Sequence, residues 1–278
     1  MVLIIIILVI ILIVIIGIIC KCIYNENFTE NKTKVIICGC ARDCAEFLPK
    51  TLNNIYELSK DKEVFYVFYE NDSKDNTLKL LQNFVSDKNG IVISENINIP
   101  RRTVRIAYCR NKILNYIFDN NLDKIYDYYI NMDLDNVNSE LDVSSVNKCL
   151  SESNNWDIAS INQFSNYYYD LWALRTKRKN NNCWHNDNCM YGGLKNWLPV
   201  NIISKDLNYL EVLSAFGGLT IYKTYLIQNS YYSGEDINNP DVDDCEHVNF
   251  HSSIFKNFPN TRFYIIPYML NRGYGELI

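Results

Sequence analysis

The stretch YYINMDLDNV, Tyr128 to Val137, opens as an apolar strand and ends in polar residues around two aspartates. Carboxylates one residue apart at the end of an apolar run repel each other, so something must reconcile them. A turn cap is one answer. A divalent cation is the other. Alternate residues of an extended segment point the same way, so Asp133 and Asp135 can converge on one hard ion, with phosphate oxygens and water completing its shell. A diphosphate bridged by that ion leaves more readily, because the charge developing on it is neutralised. The neighbouring sequence has to choose between the two.

Upstream, apolar runs alternate with helical patterns. KVIICGC (34–40), EVFYVFYE (63–70), GIVISE (90–95) and YDYYINMD (126–133) read as buried strands. Between them lie AEFLPKTLNNIYELSK, with Pro49 near its first turn, KDNTLKLLQNFVSD and RRTVRIAYCRNKILNYIFDN, each apolar along one side. This alternation predicts a mostly parallel sheet flanked by helices. The second half is less regular: strands are expected at Trp156–Asn162 and Leu219–Tyr222, a helix over CEHVNFHSSIF, and a closing strand at RFYIIPYML. In open parallel sheets ligands gather beyond the carboxyl ends of the strands. Polar residues cluster at those places: Arg42-Asp43, Glu70 to Asp75, and Asp133 with Asp135.

The chain has 278 residues, enough for one large α/β domain and an appendage. Its net charge of −5 gives a nucleic-acid groove no support. Val2 to Ile19 is an unbroken apolar run with one glycine. About 20 helical residues cross a bilayer, and a cleaved signal peptide would want a basic start and a small-residue cleavage site. The expected organisation is therefore a transmembrane signal anchor at 1–22, a stem at 23–33 and a catalytic-type domain at 34–278. A type II, single-pass protein with a lumenal domain is the expectation; a cytosolic-facing domain fits the same sequence. The sequons at Asn27 and Asn31 agree with a lumenal stem. Cys20 and Cys22 sit at the membrane boundary, where acylation or apolar filling would each suit them. Cys183 and Cys189 read as either a disulfide or a reduced pair, and with His185 they lack a fourth zinc ligand.

In YENDSKDNT (69–77), Glu70 at the strand tip can accept hydrogen bonds from a base or ribose, with Asp72 and Ser73 shaping the turn. Caps alone would explain the same acids. Arg105 and Arg110 precede the aspartate strand and suit bidentate phosphate contact or support of the carboxylates. YYYDLWALR (167–175) offers Trp172 as a face for a pyranose, with Asp170 and Arg175 for its hydroxyls. Gly217-Gly218 marks a tight turn or a close approach. No G-x-S-x-G and no P-loop motif occurs. CGCARDC lacks the glycine-rich basic loop of a nucleotidyltransferase.

Taken in order, VIICGCARDCAEFL, YENDSKDNT, RIAYCRNKIL and YYINMDLDNV resemble the N-terminal half of a GT-A glycosyltransferase, the Rossmann-like fold that uses nucleotide-sugar donors. YYYDLWALR, SAFGGLTIYK and CEHVNFH resemble the branch of fungal capsule-associated mannosyltransferase-like proteins. The resemblance runs from about Lys34 to Pro267. It implies Mn2+ or Mg2+ on Asp133 and Asp135, with His251 as a further ligand. It implies donor binding by Arg42, Glu70, Asp72, Arg105, Arg110, Asp133, Gly217 and Gly218. Asp170, Trp172, Arg175 and His247 would meet a glycan or glycoconjugate acceptor, and Glu246, with Asp244 in reserve, would be the catalytic carboxylate. His247 stands where a second acid is often found. Inverting and retaining transfer both stay open, as does a non-catalytic, anchored glycan-binding scaffold with a degenerate transferase fold.

Overall fold

The computed structural model describes residues 14–17, 32–163, 168–176 and 203–272. By its internal packing the chain divides into units 1–33 and 34–278. In the first, residues 14–17 are helical and Val14, Ile15 and Ile16 are about half exposed. Among the described residues no helix is long and apolar enough to cross a membrane. The expected anchor and stem, the sequons, Cys20, Cys22, Tyr167, and the Cys183–Cys189 segment with His185 lie wholly or mostly outside the described residues.

The second unit is built on one eight-stranded sheet. Its strands are β1 (Lys34–Ala41), β2 (Glu63–Asn71), β3 (Gly90–Glu95), β4 (Tyr128–Met132), β5 (Ile158–Gln163), β6 (Leu210–Glu211), β7 (Leu219–Lys223) and β8 (Phe263–Asn271). The spatial order is β3-β2-β1-β4-β7-β5-β8-β6. β7 pairs antiparallel with β4 and β5, and β6 antiparallel with β8, while the other pairings are parallel. Six strands thus share one direction, and β6 and β7 oppose them.

Alternation along each strand sends side chains into two cores. Ile36, Val67 and Tyr129 face α3 (Arg102–Asp119) and α5 (Glu246–Asn257), through Ile113, Ile117, Phe250 and Ile254. Val35, Ile37 and Ile130 face the other way, towards α1 (Leu48–Ser59), α2 (Thr77–Val85) and α4 (Val143–Ser151). Helix α1 is the one its sequence predicts: proline in the first turn, where its missing N–H costs nothing, then Leu48, Leu52 and Ile55 buried on one stripe. Helix α4 and the short β6 were not expected from the sequence pattern. VSSVNKCLS is poor in strong helix formers. Asp142 starts it nonetheless, accepting the Ser145 N–H at 3.1 Å as its cap.

The antiparallel course of β7 brings two turns together. Leu219, its first residue, pairs with Met132, the last of β4. The turn before β7 therefore lies against the aspartate-bearing turn after β4.

Candidate active site

Beyond the carboxyl ends of β1, β2 and β4 lies a cavity of about 680 Å3. Nine of the residues expected from sequence line it: Arg42, Arg105, Arg110, Asp133, Asp135, Asp170, Trp172, Glu246 and His247. They come from separate parts of the chain, which is why no local motif announces the set.

Arg110 joins most of them. It lies on the buried stripe of α3 (Thr103, Ala107, Arg110, Leu114 and Ile117) and is 4% exposed. Nε donates to Glu246 Oε1 at 3.3 Å, one terminal nitrogen to Asn131 Oδ1 at 2.8 Å, and the other to Asp133 Oδ1 at 3.2 Å. Its guanidinium lies 4.9 Å from the Phe216 ring centre. Burial works against its charge, but Glu246 and Asp133 outweigh that and hold its pKa well above the ordinary value.

The aspartate turn is held from two sides. Asp133 donates its N–H to Gly218 O at 2.8 Å. Asn138 donates to the carbonyls of Asp133 and Gly218, at 2.8 and 2.7 Å. Asp135 caps the short helix behind it, accepting the Val137 N–H at 3.1 Å. The cap and cation readings of this motif are therefore compatible: one carboxylate oxygen shapes the turn, and both aspartates still line the cavity. Burial pushes the Asp133 carboxyl up to about 7; Arg110 opposes this, and Asp135, Asp170 and Glu246 reinforce it. Around Asp133, negative charge exceeds what one guanidinium balances. An all-oxygen pair with surplus charge fits a hard divalent ion better than a thiophilic one. Among the described residues no group of three His, Cys, Asp or Glu side chains forms a ligand set.

Several of the expected residues lie elsewhere than on the cavity wall, or meet protein partners. Glu70 is 2% exposed and spends both oxygens on the protein, accepting from Ser73 N and Ser94 Oγ, each at 2.7 Å. Asp72 sits at φ 55° and closes the next turn, accepting from Asn71 Nδ2 and the Ile97 N–H. Neither lines the cavity; Asn71 does.

Gly217 and Gly218 adopt φ 65° and 92°. A Cβ on the first would stand 2.6 Å from Gln163 Nε2, and on the second 2.3 Å from Val137 Cγ1. The close approach they permit here is to other parts of the protein. Gly217 N donates to Asp170 Oδ2 at 2.9 Å, so the glycine pair orients two acids of the cavity from behind.

Arg175 and Asp244 are buried and pair with each other at 3.3 Å, away from the cavity. Neither lines the cavity with Glu246. His251 is fully buried, with Ser214 Oγ on Nδ1 at 2.8 Å and Tyr222 Oη on Nε2 at 2.9 Å. Both nitrogens already have protein partners, and the residue is not part of the cavity wall.

Asn71, Phe216, Cys40 and Cys109 also line the cavity, and sequence reasoning missed them; Arg102 lines it too, as one of the basic cluster Arg101, Arg102, Arg105 and Arg110 that the sequence marks as suited to phosphates. A polar residue inside an apolar strand was the legible signal for Asn131, which anchors Arg110. Nothing in SAFGG marks Phe216 as a cavity wall.

No protein-family model matches the chain. No curated protein matches it either. Solved structures do. S. aureus TarS 1–349 in complex with UDP-GlcNAc superposes at a TM-score of 0.53 with 13% identity, over 88% of this chain and 59% of that one. S. aureus TarS in a longer form matches at 0.50 with 13% identity, over 86% and 36%. A mannosyltransferase, PcManGT from Pyrobaculum calidifontis, in complex with GDP-Man and Mn2+, reaches 0.48 with 11% identity, over 87% and 57%; a likeness that weak supports no inference. The chain thus spans about three fifths of TarS 1–349. At these identities the likeness shows the fold, an α/β sheet of the GT-A type flanked by helices.

Proposed function

We propose that this chain is a metal-dependent, membrane-anchored glycosyltransferase that moves a hexose from a nucleotide-sugar donor to a glycan or glycoconjugate. The observation that supports it best is the cavity itself. It collects the two aspartates, Asp170 and Glu246 against Arg42, Arg102, Arg105 and Arg110 at the strand ends of a GT-A-type sheet. Mannose as the hexose, and the fungal capsule-associated branch, rest on the sequence resemblance alone.

In this reading Asp133 and Asp135 hold Mn2+ or Mg2+, which when bound neutralises charge developing on the departing diphosphate. Arg110 fixes the orientation of Asp133 and of Glu246 beside it. Arg42, Arg102 and Arg105 supply fork-shaped donors along the wall where phosphate oxygens would lie. Glu246, one oxygen held by Arg110, is the carboxylate available to take the proton of an acceptor hydroxyl if transfer inverts. If it retains, the departing phosphate oxygen takes that proton. Trp172 and Asp170 form the wall suited to a pyranose, one by its ring and the other by the lone pairs left on oxygens that also accept from Ala173 N and Gly217 N.

The anchor is the second part of the proposal, supported by the apolar run Val2–Ile19 and its exposed helical turn at 14–17. The test is Mn2+-dependent turnover of a nucleotide-sugar panel by residues 25–278, wild type against Asp135→Ala, with membrane partition of the full chain measured alongside. One donor consumed, and its turnover cut at least a hundredfold by the substitution (on the order of 3 kcal/mol), supports the transferase. Silence across the panel, with no metal-dependent nucleotide binding by calorimetry, would favour the scaffold reading. A full chain that stays out of membranes would remove the anchor.

A further inference from the structure

Helix α5 carries two histidines one turn apart, and the fold treats them differently. His251 is a satisfied core residue with a partner on each nitrogen. His247 is buried as deeply, at 2% exposure, yet neither Nδ1 nor Nε2 has a hydrogen-bond partner among the described residues. Glu246 Oε1 stands 3.5 Å from Nε2, too far and too poorly aimed to serve. A buried polar atom left without a partner is costly, and two on one ring are uncommon in a native fold.

Packing, not hydrogen bonding, holds this ring. It stacks on Phe216 with ring centres 3.8 Å apart and planes 20° from parallel, and meets Tyr232 edge-on at 5.7 Å. Phe216 is itself fixed beside the Arg110 guanidinium. The imidazole is therefore oriented before any polar partner arrives, and it lines the cavity beside Glu246.

We propose that His247 is a sugar-recognition residue, whose imidazole hydrogen-bonds a hydroxyl group of the hexose held in the cavity. Burial, Arg110 and His251 hold the ring neutral, so it offers one N–H and one lone pair. A hydroxyl both donates and accepts and can use either. A phosphate can take only the N–H and leaves the lone pair without a partner, and a cation would meet the repulsion of Arg110. The inference rests on the cavity being a nucleotide-sugar site, as proposed above.

Three histidines in the chain make the test direct. Long-range proton–nitrogen NMR of the labelled protein resolves their rings, and His247→Phe assigns the one in question. UDP-GlcNAc, UDP-glucose and GDP-mannose are each added with Mg2+, then UDP or GDP with Mg2+, then the free hexoses. The expected result is that a sugar nucleotide moves the His247 nitrogens and the nucleoside diphosphate alone does not. His247→Phe should weaken that sugar nucleotide roughly two- to tenfold and leave the diphosphate affinity unchanged. His247→Gln, which keeps a donor and an acceptor, should recover part of the loss. Unmoved His251 resonances report that the fold persists in both variants. If His247→Phe binds every sugar nucleotide as tightly as wild type, the inference is overturned while the transferase reading stands. If free hexose moves His247 but no nucleotide binds, the sugar site stands and the transferase reading falls. If nothing binds, both fall.

Discussion

At the scale of single residues, Arg110 does most to organise the cavity. It is a charge on the apolar stripe of an amphipathic helix, and such a charge is retained only where opposite charge meets it. Its partners come from β4, the turn after β4 and the start of α5. Arg110→Met, close in volume, would leave Glu246 buried without its cation. The expected cost is about 3–5 kcal/mol, read as a lowered urea midpoint, together with loss of nucleotide binding. A variant of unchanged stability would show that the three contacts contribute little. In the sequence this arginine reads as a phosphate or carboxylate contact on an amphipathic helix; its burial on the stripe 103, 107, 110, 114, 117 appears only in the structure. Which carboxylates it meets was not readable, because they lie 23 and 136 residues away.

At the scale of elements, the turn before β7 decides the shape of the aspartate loop. Strand β7 runs against its neighbours, so its first residue sits beside the end of β4. Gly218 O can then receive the Asp133 N–H, and Asn138 ties the two turns together. Gly218→Ala would place a methyl 2.3 Å from Val137 Cγ1 at a φ of 92° that L side chains rarely adopt. Backbone strain of this kind costs about 1–3 kcal/mol, and the contact adds to it. Weaker Mg2+-dependent nucleotide binding should accompany the lost stability, since the displaced atoms carry Asp133. Wild-type affinity in a destabilised variant would separate the turn from the site. The glycine pair was visible in sequence as a conformational requirement. Whether a ligand or the protein itself approached it depended on the direction of β7, and a short apolar run carries no direction.

At the scale of the whole molecule, buried titratable groups couple the fold's stability to acid. The face under α5 buries His251 between Ser214 and Tyr222, and burial pushes its pKa down to about 3. In the unfolded chain a histidine titrates near about 6.5. Between those values the unfolded chain binds the extra proton, so this contribution is complete above about pH 6.5 and is lost as pH falls towards 3. Asp157 acts further into acid. Burial raises its pKa, but Arg262 and Lys223 more than offset this and hold it well below the ordinary carboxylate range. Its contribution is complete above about pH 3.9 and is lost below that. Asp133, pushed up to about 7, acts in the opposite sense over the same range, so the histidine is read by difference: between about pH 4 and 7.5 the urea midpoint of wild type should fall more steeply, or rise less, on acidification than that of His251→Gln. An equal slope in the variant would contradict the assignment.

By itself the sequence determined the strand–helix alternation, the buried faces of α1 and α3, and the placing of polar residues after β1, β2 and β4. These come from local periodicity, which a chain carries wherever it ends up in space. Tertiary structure alone decided that β7 and β6 oppose the other strands, and that α4 forms on a weak helical sequence. It also sorted the acids and histidines. Glu70, Asp244 and His251 have the same chemistry as Asp170, Glu246 and His247, yet protein partners hold them away from the cavity that the other three line. A side chain's type is written in the sequence, but whether its polar atoms are already satisfied depends on neighbours that only the folded chain brings within about 3 Å.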